Sequence, residues 1–151
     1  MMDVPALLKA MALRISTVEG VGAAHYPAPD TLNRYPEVVL YWGSDVDTTI
    51  EWKGSQGLWL PAIKAQVMGP RTGDSTPKEF ARIDNLLTPI VDAFDTGPDG
   101  GGVSRVLPGL DGHVDRVDVV RLRPTLLINY AGHIHYGAEL FFSVKMRRTR
   151  S

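Results

Sequence analysis

The stretch NYAGHIHYGAELFFSVKMRR places His133 and His135 two residues apart, with Glu139 four further on. On a β-strand such positions share a face, so two imidazoles and a carboxylate could converge on a metal ion. A catalytic zinc takes three protein ligands and keeps a fourth position open. The Ala131-Gly132 pair puts His133 in a turn rather than on the strand, and nothing in the spacing brings His25 or His113 near. The stretch reads better as a strand entry whose polar face carries histidines. No metal and no cofactor is expected.

Other chemistry-bearing patterns also break off. In DVDTTIEWKGSQ, Asp45, Asp47 and Thr49 alternate like calcium ligands, but Ile50 stands where the loop needs glycine and Gln56 where it needs glutamate. GPDGGGVSR is glycine-rich, yet no Lys-Ser/Thr follows to make a phosphate loop. Ser44, Ser55 and Ser104 lack a nucleophile-elbow context, and the absence of cysteine excludes a thiolate nucleophile or a disulfide framework. No catalytic residue emerges, and the chain reads as a non-enzyme.

The charged residues are more suggestive. Net charge is -1, but from Arg116 to Ser151 seven Lys/Arg face two Asp/Glu, so this segment carries +5 and the rest -6. Arg121, Arg123, Lys145 and Arg147 fall on same-face positions of two adjacent strands, and Arg148 and Arg150 extend them. Such a patch can meet nucleic acid, acidic residues of a neighbouring copy, or only solvent. Phe141 stands on the same polar face, and Trp42, Trp52 and Trp59 cluster nearby in sequence. These aromatics fit either an interface or a small second core.

The elements that would position these residues follow from periodicity. Val4, Leu7, Leu8, Met11, Ile15 and Val18 define one helical face behind an Asp3 cap, ended by Gly20 and Gly22. Val38–Trp42 is a short apolar strand covered on both faces. Val46, Thr48, Ile50 and Trp52 alternate with polar residues, and the turn KGSQG leads into a strand from Leu58 to Met68, together a protruding hairpin arm. Pro61 places that strand at an edge or bulge. Thr76, Pro77 and Glu79 form a capping box for a helix with the stripe Ile83, Leu86, Leu87, Ile90 and Phe94, which Pro89 should kink or split. DTGPDGGG reads as a mobile loop.

A long hairpin closes the chain. Val120, Leu122, Leu126 and Ile128 are expected on one face, with Arg121, Arg123, Thr125 and Asn129 on the other. After a turn near Ala131-Gly132, Tyr136, Ala138, Leu140, Phe142, Val144 and Met146 alternate against His135, Gly137, Glu139, Phe141, Ser143, Lys145 and Arg147. The fold class is α+β, a mostly antiparallel sheet with helices on one face, in a single domain over residues 1–151. The N-terminus is too polar for a signal peptide, and no apolar run suits a membrane span.

In this order LLKAMALRI, NRYPEVVLYW, LWLPAIKAQVMG, FARIDNLLTPIVDAFD and the closing hairpin VDVVRLRPTLLINYAGHIHYGAELFFSVKMRR resemble the tail terminator proteins of long-tailed bacteriophages, particularly those infecting actinobacteria. The resemblance is diffuse and rests on no short motif. It implies a structural virion protein that forms a ring, usually a hexamer. The ring caps the head-proximal end of the tail tube, ends its growth and accepts the head's connector or head-closure protein. Genomic DNA would pass through the lumen without sequence-specific binding, and assembly would occur in the host cytoplasm. It implies that the segments 46–67 and 96–112 reach the tube, the head or a neighbour. A DNA-conducting lumen disfavours strong phosphate contacts, so Arg121 and Arg123 are expected at subunit contacts. Alternatives are another neck protein, a small metal-dependent hydrolase using His133, His135 and Glu139, and a DNA-binding module using the Arg/Lys face.

Overall fold

The computed structural model describes residues 3–43, 47–98, 101–110 and 112–149. The calcium-like Asp45, the start of the arm at Ser44 and Val46, part of the glycine-rich loop and Arg150 lie outside the described residues.

Helix α1 spans Val4–Ser16 and begins as its residues dictate, with the Asp3 carboxylate accepting the Ala6 amide at 2.8 Å. Its stripe Val4, Leu7, Leu8, Met11 and Ile15 is buried. Strand β1 (Ala23–His25) is short and pairs in parallel with β2 (Glu37–Trp42). Strands β3 (Thr49–Lys53) and β4 (Gln56–Leu60) form a hairpin around Gly54, whose φ of +60° suits glycine. Pro61 separates β4 from β5 (Ala62–Arg71). The expected strand from Leu58 to Met68 is therefore two strands, because proline cannot donate to a ladder.

Helix α2 spans Glu79–Ala93, starting two residues later than the predicted first position at Pro77. Thr76 and Pro77 instead form a tight turn whose carbonyls accept the amides of Glu79 and Phe80, while the Glu79 carboxylate receives the Ser75 hydroxyl. The helix is not split at Pro89. The carbonyl that Pro89 leaves without a donor belongs to Asn85, and both residues are exposed, so water can serve it. The segment after the glycine-rich run is also more ordered than a loop reading suggests. It holds the short helix α3 (Val103–Val106), which buries Val103, Val106 and Leu107 in the core.

Strands β6 (Val114–Tyr130) and β7 (His133–Thr149) make the long hairpin, turning at Ala131 and Gly132, both at positive φ. Among the described residues, all seven strands belong to one sheet. On one flank of β7 lies β6, and on the other β5 and β4 pair end to end with its two halves. Beyond these, β2 pairs with β5 and β3 with β4. The architecture is α+β with a mostly antiparallel sheet, and all three helices contribute to the core on one face. The hairpin arm does not stand off this sheet. Gln56 to Trp59 pair with Thr149 to Met146, so β4 is part of it.

The alternation of β7 is observed: Tyr136, Ala138, Leu140, Phe142, Val144 and Met146 enter the core beneath the helices. Strand β6 departs from its predicted pattern. Register shifts at Val114/Arg116, Val119/Arg121 and Arg123/Leu126 insert extra residues, and each insertion reverses the facing of the residues after it. Leu122 thus faces the helices, whereas Leu126 and Ile128 join Leu32, Val39 and Met68 in a smaller cluster on the opposite face. Asn129, opposite Ile134, falls on the helix side rather than with the arginines.

Gly137 pairs with Met68 of β5 and Leu126 of β6. A Cβ there would lie 2.5 Å from Ile128 Cδ1 and 2.8 Å from the Val67 carbonyl oxygen. Gly137→Ala is therefore expected to lower stability by about 1–3 kcal/mol through overpacking. Urea unfolding of the variant beside the unaltered chain measures it, and equal midpoints would contradict the packing described.

Candidate functional site

The sheet face opposite the helices carries the predicted charged set. Register places Tyr41, Lys64, Phe141 and Arg121 in one transverse row, and Val39, Gln66, Glu139 and Arg123 in the next. Glu139 is nearly buried, and its carboxylate needs compensation there. Gln66 Nε2 donates to Glu139 Oε2 at 2.9 Å, Lys64 Nζ lies 3.3 Å from the same oxygen, and Arg123 reaches Oε1 at 3.6 Å. Arg121 stacks on the Phe141 ring, its guanidinium carbon 4.0 Å from the centroid. Phe141 is buried under this cover rather than exposed.

Burial pushes the Tyr41 phenol up to about 12, helped by Tyr130 and by the Glu139 charge. Burial likewise raises Tyr130, with help from Asp30 and Glu37. The Tyr130 hydroxyl donates to the Pro29 carbonyl, pinning the loop over this end of the sheet.

Lys145 and Arg147 share this face further along β7. They do not make a continuous cationic patch with Arg121 and Arg123. Arg147 Nε is 2.6 Å from Asp115 Oδ1, and Arg116, opposite Lys145, is held 2.6 Å from Asp118. The two histidines are also separated in role. His135 is buried, and its Nδ1 donates to the Gly69 carbonyl at 2.9 Å, while His133 is exposed at the hairpin end. Among the described residues, no three His, Asp or Glu side chains are grouped to hold a metal ion.

The tryptophans lie along the β2–β3–β4 edge. Trp42 donates through Nε1 to the Thr48 hydroxyl at 2.7 Å. The Trp52 ring covers Gly57, and Trp59 is partly buried under the Arg148 guanidinium at 4.5 Å. A cleft of about 390 Å³ crosses the sheet face between Asp47 and Thr49 on one side and Val120 and Arg121 on the other, with Leu60, Pro61 and Phe141 in its floor.

No protein-family model and no curated protein matches the chain significantly.

Large apolar side chains are exposed at both lateral edges of the sheet. On β6 these are Val120 (63%), Leu122 (42%) and Leu127 (63%), and on β3 Ile50 (41%) and Trp52 (44%). Sequence periodicity groups Val120 and Leu122 with Leu126 and Ile128 on one apolar face. The signal against that assignment is Pro124, which a strand tolerates only at an edge or a bulge. Periodicity also leaves Lys64 and Gln66 unremarked, although they alternate with Ile63, Ala65 and Val67 and so belong to a polar face.

The raised Tyr41 phenol has a pH consequence. Below pH 10 it is neutral in folded and unfolded chains alike. Between pH 10 and about 12 the unfolded chain releases the proton and the folded one retains it, so stability falls as pH rises. Tyr41→Phe should flatten that part of the decline. Denaturant midpoints at pH 9, 10 and 11 for both chains test this, and parallel declines would refute it.

Proposed function

We propose that this chain is a structural ring-forming protein that caps the head-proximal end of a phage tail tube and offers its other side to the head. The observation that supports it best is the pair of open sheet edges carrying exposed apolar side chains. A monomer gains nothing from leaving Leu122, Leu127, Ile50 and Trp52 in water, whereas a subunit of an assembly covers them. Strands of 17 residues also give the hairpin a long outer edge, along the first of the two, that can contact a neighbour.

The chemistry of the polar face points the same way. His135 and Glu139, the strongest candidates for metal ligands, are each held by other partners. Carboxylates interleave the arginines, which weakens a phosphate-binding reading and suits a protein that lets DNA slide. No helix among the described residues is long and apolar enough to cross a membrane. A subunit contact between unlike surfaces closes into a ring when its rotation permits and otherwise grows as a filament. Ring closure is what a terminating protein requires.

Tube growth in vitro tests the proposal. Tail-tube protein polymerised with increasing amounts of this chain should give progressively shorter tubes, each ending in one ring under the electron microscope. Light scattering should show the 16.5 kDa chain gaining mass as a closed ring of about six copies. Unchanged tube lengths with no material at the ends would exclude the function.

A further inference from the structure

The two edges that bound the sheet are complementary to each other, face for face. On the helix-bearing face, β6 exposes Leu122, which lies opposite the core residue Leu140. On that same face β3 exposes Ile50, opposite Trp59, and Trp59 lies opposite the core residue Met146. On the other face β6 presents Arg121, and β3 presents Glu51, which continues the row of Leu58 and Arg147. Neither Arg121 nor Glu51 has an ion-pair partner among the described residues, and both are exposed. Each edge therefore offers an apolar side chain on one face and an uncompensated charge on the other, with opposite signs of charge on the two edges.

We infer that the occupant of the β6 edge is the β3 edge of a second copy of this chain. The contact sets Leu122 against Ile50 on the helix face and Arg121 against Glu51 on the polar face. Symmetric alternatives are disfavoured by charge. Two β6 edges would set Arg121 and Arg123 against their own copies, and two β3 edges would do the same with Glu51. The contact is thus heterologous, and every subunit keeps one edge to give and one to receive. Lys53 comes after Glu51 on the same face, so the contact registers on Thr49–Glu51 rather than on the turn.

Bulges at Val119/Arg121 and Arg123/Leu126, with Pro124 inside the second, leave β6 few backbone groups in line for a ladder. Side chains therefore carry the contact, and the edge is protected against indiscriminate strand pairing. The edges are also offset along β7, with β4 and β3 beside Met146 and Arg121 beside Phe141. Closed arrangements of sheets need this kind of stagger, because their strands tilt to the axis. The inference rests on the ring reading above and names its subunit contact.

The chain contains no cysteine, which makes the test direct. Ile50→Cys and Leu122→Cys are made separately in the full chain, at exposed positions, and their folding is checked by circular dichroism. Incubated with tail-tube protein under mild oxidation, each alone should stay uncrosslinked and an equimolar mixture should give disulfide-linked dimers. The double variant should give a ladder up to the ring. As a second arm, Arg121→Glu should reduce ring formation at least tenfold, and adding Glu51→Arg in the same chain should restore it.

A ring with no cross-link in the mixture overturns the edge contact and leaves the proposed function standing. Cross-links in either single-variant sample overturn it in favour of a symmetric contact. Cross-linked copies that do not limit tube length support the contact and overturn the capping function. Neither ring nor cross-link overturns both.

Discussion

Burial of β7 on both faces is the constraint to which the rest of the molecule answers. From His135 to Phe142 every residue of the strand is withdrawn from water. One set of side chains is apolar and fills the core beneath the helices. The other set contains an imidazole and a carboxylate, which cannot be buried without partners, and a phenyl ring, which gains from being covered. The Gly69 carbonyl receives the imidazole proton, Gln66 and Lys64 reach across from β5 to the carboxylate, and Arg123 reaches it from β6. Arg121 covers the ring. Lys64 and Arg123 are thus fixed by the carboxylate that β7 buries, whereas Arg121, stacked on a neutral ring, keeps its charge for contact with another molecule.

This division explains why the polar face is close to neutral in its middle and charged at its margins. Glu139, Asp118 and Asp115 each hold one cation of the C-terminal part of the chain, Arg123, Arg116 and Arg147 in turn. A partner approaching the centre of this face would meet groups already paired. A partner approaching an edge meets Arg121 or Glu51, each beside apolar surface. Surface charge pairs contribute little on their own, but at the rim of an apolar contact they select the partner and its orientation.

Much of the architecture is legible in the sequence because β7 and α1 have strong periodicities and clear boundaries. The Asp3 cap, the buried part of β2 up to Leu40, the turn at Ala131-Gly132 and the alternation from Tyr136 to Met146 all follow from residue type and spacing, whereas Trp42 is exposed rather than covered. Strand β1 has only three residues, too few to show a period, and α3 is a single turn inside a glycine-rich stretch. The bulges of β6 are the larger loss. A period-two pattern assumes no extra residue, so each insertion sends later side chains to the wrong face, as with Leu126 and Ile128. Arg121 and Arg123 are legible as a same-face pair because no insertion separates them. Their partners are not, since Lys64 and Glu139 meet only through a register between strands far apart in the chain, which no local pattern encodes.

The position of β7 in the chain order also bears on how the protein forms. This strand comes after every strand it joins, yet it holds β4, β5 and β6 together. Before it emerges from the ribosome, the β3–β4 hairpin and the β2–β5 pair are separate pieces without a shared centre. Long-range pairing of this kind is slow, and it leaves unpaired edges exposed in the meantime. Completion of the fold and completion of both outer edges therefore coincide, so a partially made chain has no finished surface with which to engage its neighbours prematurely.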